Sequence, residues 1–225
     1  MSNTTRSQNM PSTNAEKCWK KHNFYQRLFP DCASIASTEL AAMMSRSSEG
    51  DVSYTTNEGS PVHLVDVRSD PERDVSVIPG SISLSEFEEM VAPNISDDAL
   101  VVCYCTIGFR SGLEARRLNE RYKLKGRVRN LDGIIAYTHA QQSEVRSGGS
   151  INDSSLHLVN GTTGEFSDRV HIFGSLWDCA DKSYTATPFS LSNQAKKGAQ
   201  IGLRATVLMG QHALYRTKNV PRLGF

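Results

Sequence analysis

One stretch constrains this chain more than any other. Leu100-Val101-Val102-Cys103-Tyr104 is uncharged and rich in β-branched residues, the composition of a strand. It runs directly into Cys105-Thr106-Ile107-Gly108-Phe109-Arg110-Ser111. A helical pattern follows at once: Ser111, Ala115, Leu118 and Tyr122 share one face, with Glu114 and Arg117 paired at i,i+3 on another, and Gly126 ends it. Val128 to Leu131 then reads as a further strand. Strand, helix, strand in this order implies a right-handed parallel crossover, and parallel sheets place their sites at the carboxyl ends of strands. Cys105 stands at such an end.

The chain before it alternates in the same way. Thr38 to Met44 reads as a short helix with Ser37 or Thr38 as its cap, and Ser45 to Ser60 as a polar loop. Val62 to Asp66 reads as a strand buried on both faces. A turn is expected at Ile78-Pro79-Gly80-Ser81 and a helical turn at Glu86 to Met90, ahead of Pro93.

A thiol at the position of Cys105 meets unusual electrostatics. Gly108 permits a tight curl whose backbone N–H groups point inward as an anion nest. The helix starting near Arg110 adds its positive end, and both effects favour thiolate over thiol. Arg110 adds a permanent positive charge. A buried cysteine at a strand end is the plainer reading of Cys105 alone; the strand, cysteine, glycine, arginine and helix together point to a reactive sulfur.

The loop Cys105 to Ser111 resembles the C-x-x-G-x-R-S active-site loop of single-domain rhodaneses. Asp66-Val67-Arg68 followed by Ile78-Pro79-Gly80-Ser81-Ile82 resembles the family's D-V-R … I-P-G-A-I signature, and Asn130 to Tyr137 is similar to N-L-x-G-G-I-x-A-W. The likeness runs from about Ile35 to Ala140. Val77 stands where many members have His, Ile134 replaces a second Gly, and Tyr137 replaces Trp. The resemblance implies an α/β fold with a mainly parallel five-stranded sheet and helices on both faces. It implies transfer of a sulfane sulfur, from a small-molecule donor such as thiosulfate to a thiol or protein acceptor, through a persulfide on Cys105. Thr106, Ile107, Gly108, Phe109, Arg110 and Ser111 would bind the donor and stabilise the persulfide, with Asp66 and Arg68 in support. Asp66 is expected to orient the loop, Arg68 to pair with Glu72 or Asp70, and Ser111 to donate a hydrogen bond near the sulfur.

Two other readings stand beside this one. Phosphatases resembling the same fold place five residues between Cys and Arg, whereas four intervene here, a smaller cradle suited to one sulfur atom. A non-catalytic binding or regulatory module is the other, although such domains often lack the cysteine. Cys103, sharing a strand face with Cys105, reads as a buried structural cysteine. His63 and His139 read as satisfied polar groups, and Cys18, Cys32 and Cys179 lack metal-ligand spacing, so neither a metal nor another cofactor is expected.

Composition bounds the rest. Lys plus Arg number 25 and Asp plus Glu 24, so a formal charge of +1 argues against wholesale nucleic-acid binding. Five cysteines without repeating spacing argue against a disulfide framework. The start has no apolar signal, and a soluble cytoplasmic protein is expected, with a mitochondrial location as the alternative for the basic N-terminal arm. The organisation read from the sequence is an arm over 1–30, disordered or targeting; a rhodanese-like domain over 31–142; a loop and extension over 143–191; and a basic helix and tail over 192–225. The extension carries V-H-x-x-G-x-x-W from Val170 to Trp177 and reads as a cover over the sheet edge or a docking site for the acceptor. The last 34 residues hold six basic and no acidic residues. They suit either a helix docked on the domain or an amphipathic helix for an anionic membrane surface or acidic partner.

Overall fold

The computed structural model describes residues 13–47, 51–146, 156–174 and 177–188. The basic stretch 192–225 and the first residues of the arm lie outside the described residues. No described helix is long and apolar enough to cross a membrane.

The expected sheet is present. Its strands are β1 (Ala33–Ile35), β4 (Val62–Asp66), β5 (Ile82–Ser83), β6 (Leu100–Tyr104) and β7 (Val128–Leu131), ordered β1-β7-β6-β4-β5. All four pairings are parallel, with Val65 opposite Cys103 and Cys103 opposite Asn130. The uncharged β6 takes the centre, where both faces are covered. Val101 and Cys103 point into a core with Phe29, Phe87, Leu113, Ala115 and Leu118; Val102 and Tyr104 point into another with Leu40, Ile134, Ile135 and Tyr137. Apart from Phe29, which follows the first helix of the chain, these partners come from α2 (Ser37–Ala42), α4 (Leu84–Glu86, continued by a π turn over Phe87–Val91), α5 (Phe109–Arg121) and α6 (Ile134–Arg146). The fold is α/β with helices on both faces.

Several local expectations are corrected. The loop expected over 45–60 contains an antiparallel hairpin, β2 (Met44–Arg46) with β3 (Val52–Tyr54); Tyr54 is buried and its hydroxyl donates to Pro79 O at 2.8 Å. Helix α5 stops at Arg121, before Gly126, because Lys123 and Lys125 adopt φ values of 52° and 50° that no helix continues. Helix α2 is capped from afar: Asp132 accepts from the Ser37 backbone N–H at 3.2 Å and from its hydroxyl.

The largest correction concerns the arm. Residues Asn14–Gln26 form a helix, α1, capped by Thr13, whose side chain accepts from Glu16 N. Its inward residues are Cys18 and His22, one turn apart, while Trp19 and Phe24 face outward. An apolar stripe is therefore missing, and tertiary contact rather than amphipathicity holds the helix. The 143–191 segment is also more than a loop. Arg169–Ile172 and Thr185–Pro188 pair in parallel as β8 and β9, and Leu158, Val170, Ile172, Cys179 and Ala180 join the α6-side core. The described part of this segment is bonded to the domain. It bonds the residues that follow β4 and an early turn of α6: Gly161 N to Arg73 O at 3.0 Å, Ser167 Oγ to Val75 O at 2.8 Å, and Asp181 N to Thr138 Oγ1 at 2.9 Å. These segments leave the carboxyl ends of β4 and β7.

Gly133, between β7 and α6, has φ +109°, and a Cβ there would lie 2.5 Å from Thr106 O and 2.6 Å from Ile107 Cα. Substitution Gly133→Ala should lower stability by about 3 kcal/mol through combined backbone strain and overlap, read as a lower urea midpoint with an unchanged slope.

Candidate active site

The carboxyl end of β6 carries Cys105, 1% exposed. The chain beyond it turns tightly because Gly108 adopts φ +91°, a conformation that only glycine enters freely, and it begins α5 from there. The turn points the Gly108 backbone N–H at Cys105 Sγ, 3.2 Å away. Ser111 Oγ stands 3.4 Å from the same sulfur and 2.7 Å from Asn130 Oδ1. Its single proton serves either acceptor, and a sulfur bearing negative charge competes better for it.

The loop is held from below by α6, whose first N–H groups are otherwise unpaired. Ile134 N donates to Cys105 O at 2.9 Å and Ile135 N to Thr106 O at 3.3 Å. Asn130 on β7 holds it from the side, donating through Nδ2 to Gly108 O at 2.8 Å and to Gln26 Oε1 at 2.9 Å. One amide thus links the curl, Ser111 and α1.

The charged residues pair differently from the sequence expectation. Arg68 pairs with Asp66 rather than with Glu72 or Asp70: its Nη2 lies 2.7 Å from Asp66 Oδ2, both side chains are buried, and Nη2 also donates to Ser76 O at 2.7 Å. Asp66 accepts the Arg68 backbone N–H as well and is 3.6 Å from Arg73, so it organises its own turn. Glu72, in the short helix α3 (Asp70–Arg73), is the partner of Arg110. Arg110 Nη2 donates to Glu72 Oε1 at 2.6 Å and Nη1 to Oε2 at 2.8 Å, and Nη2 reaches Thr106 Oγ1 at 3.1 Å. Burial opposes ionisation of the Glu72 carboxyl, but the Arg110 guanidinium overrides it and holds the group well below the usual carboxylate range. The cation expected to face the sulfur is instead matched by a buried anion.

One segment rests on this loop from outside and another on Glu72, the partner of its arginine. On α1, His22 is buried against Gly108, where a Cβ would overlap its ring, and the Tyr25 ring packs on Phe109 at 5.2 Å. Burial, and then the proximity of Cys105, push the Tyr25 phenol up. From the extension, His171 Nδ1 lies 3.6 Å from Glu72 Oε1, and burial pushes its imidazole down to about 4, against the pull of that carboxylate. His171 is therefore neutral near pH 7.

Cys103 is fully buried in the α5-side core, and burial pushes its thiol well up, as a structural cysteine. His63 packs on Phe87, and His139 Nε2 is 2.8 Å from Cys179 O. Among the described residues no cluster of His, Cys, Asp or Glu is arranged to hold a metal ion. Glu72 was expected to pair with Arg68 and not with Arg110, and the places of Asn130, His22, Tyr25 and His171 at the site escaped sequence reasoning. Asn130 stands in the N-L-x-G segment and His171 in the V-H-x-x-G-x-x-W stretch, but neither motif assigned them a partner.

Residues 51–137 match the family model described as Rhodanese-like domain. A comparison with curated proteins finds no match. The chain thus carries a single rhodanese-like domain, and α1 and the 156–188 segment lie outside the matched span.

Removing one partner of the Glu72–Arg110 pair leaves a buried charge alone. Glu72→Gln should cost about 3 kcal/mol at pH 7. A carboxyl lowered from its ordinary 4.5 contributes stability that is complete above about pH 5 and is lost as acid protonates it. Urea unfolding at a series of pH values should therefore show wild type losing its advantage over Glu72→Gln as pH falls below about 5.

Proposed function

We propose that the rhodanese-like domain spanning residues 51–137 is a sulfurtransferase whose nucleophile is Cys105. The observation that carries the reading is the Gly108 N–H aimed at Cys105 Sγ from a left-handed turn at the start of a thirteen-residue helix. A donor of this kind, fixed before reaction, stabilises charge on the terminal sulfur of a persulfide as it does on a thiolate. In the first step the Cys105 thiolate attacks the outer sulfur of thiosulfate; a new S–S bond forms, the donor's S–S bond breaks, and sulfite leaves with the electron pair. In the second, an acceptor thiolate attacks the outer sulfur of the persulfide, forming its own S–S bond and returning Cys105 as thiolate.

The Arg110–Glu72 fork shapes the reading of Arg110. Its fork of donors is occupied by a carboxylate, so it acts first as a support of the loop and of Thr106, and its attraction for an anionic donor is reduced by the paired charge. The small cradle, with four residues between Cys105 and Arg110, favours a sulfur atom over a phosphoryl group.

A second reading, a non-catalytic binding module, is favoured by one observation: Cys105 is 1% exposed, with α1 packed as a cover on its loop. Turnover requires that cover to open. The two readings separate by mass. Reduced full-length protein, freed of reductant and incubated with thiosulfate, should gain one sulfur on the Cys105 peptide, release it to cyanide as thiocyanate, and lose both properties in Cys105→Ser. A peptide that gains nothing speaks for the binding module, and phosphate release from an aryl phosphate that disappears in Cys105→Ser speaks for a phosphatase.

A further inference from the structure

The two segments outside the family match, α1 packed on the Cys105 loop and the extension set against Glu72, the partner of Arg110, also touch each other. Asn14 Nδ2 donates to Ala180 O at 3.0 Å, Lys21 Nζ lies 5.1 Å from the centre of the Trp177 ring, and that ring lies 5.7 Å from Tyr25. At the same seam the Sγ atoms of Cys18 and Cys179 stand 3.1 Å apart, although the residues are separated by 161 positions. Both are free thiols, each 1% exposed, and neither takes part in the Cys105 chemistry. That separation is inside the ordinary contact distance of two sulfurs, and a shift of about 1 Å brings them to bonding distance. A proton shared across the pair pushes the Cys18 thiol up and pulls the Cys179 thiol down, with Lys21 and Lys17 helping the latter. One sulfur is thereby the better nucleophile and its neighbour holds the proton. Cys18 also lines a cleft of about 340 Å³ shared with Trp19, Asp132, Ala136 and His139, a route by which a small oxidant reaches the pair.

We propose that Cys18 and Cys179 form a reversible disulfide that latches α1 to the C-terminal extension and holds the cover closed over Cys105. The oxidant is a peroxide. The more ionised sulfur attacks a peroxide oxygen, the O–O bond breaks, hydroxide leaves, and the sulfur becomes a sulfenic acid. The neighbouring sulfur then attacks it; the S–S bond forms, the S–O bond breaks, and the hydroxyl departs as water with the neighbour's proton. Two thiols are oxidised to a disulfide and one peroxide is reduced to two waters. A dithiol reductant reverses the step by thiol exchange.

The latch acts through opening. His22, Tyr25 and Trp177 lie on segments that must move before a donor reaches Cys105, and a covalent bond between those segments removes the open states in which they part. The disulfide itself needs no assumption about sulfur transfer; its regulatory effect rests on Cys105 being the reacting group.

The test uses the full chain, reduced and then treated with hydrogen peroxide. Non-reducing peptide mapping should find Cys18 linked to Cys179, and dithiothreitol should remove the link. Alkylation of Cys105 by iodoacetamide should slow by roughly tenfold on oxidation, recover on reduction, and show no latch-dependent slowing in Cys179→Ser given the same peroxide, which controls for direct oxidation of Cys105. Amide exchange of α1 in the wild type, slower when oxidised, gives a readout that needs no variant. Failure to find the linked peptide overturns the proposal, as does a link that leaves both Cys105 alkylation and α1 exchange unchanged. Neither readout requires sulfur transfer, so a failed latch and a failed persulfide reading are told apart.

Discussion

The buried fork between Glu72 and Arg110 is the interaction on which the site depends. Two charges in a low-dielectric interior are tolerated only when each is paired and hydrogen-bonded, and here Glu72 also accepts from Ser69 N at 3.1 Å while Arg110 reaches Thr106. The pair therefore welds the short α3 segment to the first residues of the Cys105 loop. Because Arg110 is consumed in this way, the polarity around the sulfur comes from the peptide N–H of Gly108 and the hydroxyl of Ser111, neutral dipoles fixed by the fold, more than from a free cation. A second pair, Asp66 with Arg68, holds the neighbouring turn by the same logic.

Above this frame sits a layer the domain itself does not supply. Helix α1 arrives from one end of the chain and the extension from the other, and they meet where Tyr25 and Trp177 stack and Cys18 touches Cys179. A site so covered gains a dry environment in which dipoles act at full strength. The same cover restricts access, so any chemistry at Cys105 is tied to the local opening of α1 or the extension. Their mutual contacts include a hydrogen bond, a ring pair and the two sulfurs, and the last belong to the α6-side core.

Much of the fold was legible in the residues. The β-branched run at Leu100–Tyr104, the helical spacing from Ser111 to Leu118, and Gly108 between them each obey local rules of propensity and backbone freedom, and each element formed where those rules place it. The hairpin of β2 and β3 was not legible: Ser45 to Ser60 is polar, and only Tyr54 docking on Pro79 explains why the strands pair. Helix α1 was missed for a related reason, since Cys18 and His22 on its inner face carry no hydrophobic signature.

The chain's own sequence determined that a cysteine ends a central strand and begins a glycine-turned helix, because strand preference, turn geometry and helix initiation are decided within a few residues. Only the tertiary structure decided which carboxylate meets Arg110, that Asn130 ties the curl to α1, and that residues near the two ends of the described chain lie side by side. Those pairings depend on distances through space between segments dozens of positions apart, and nothing in local spacing encodes them.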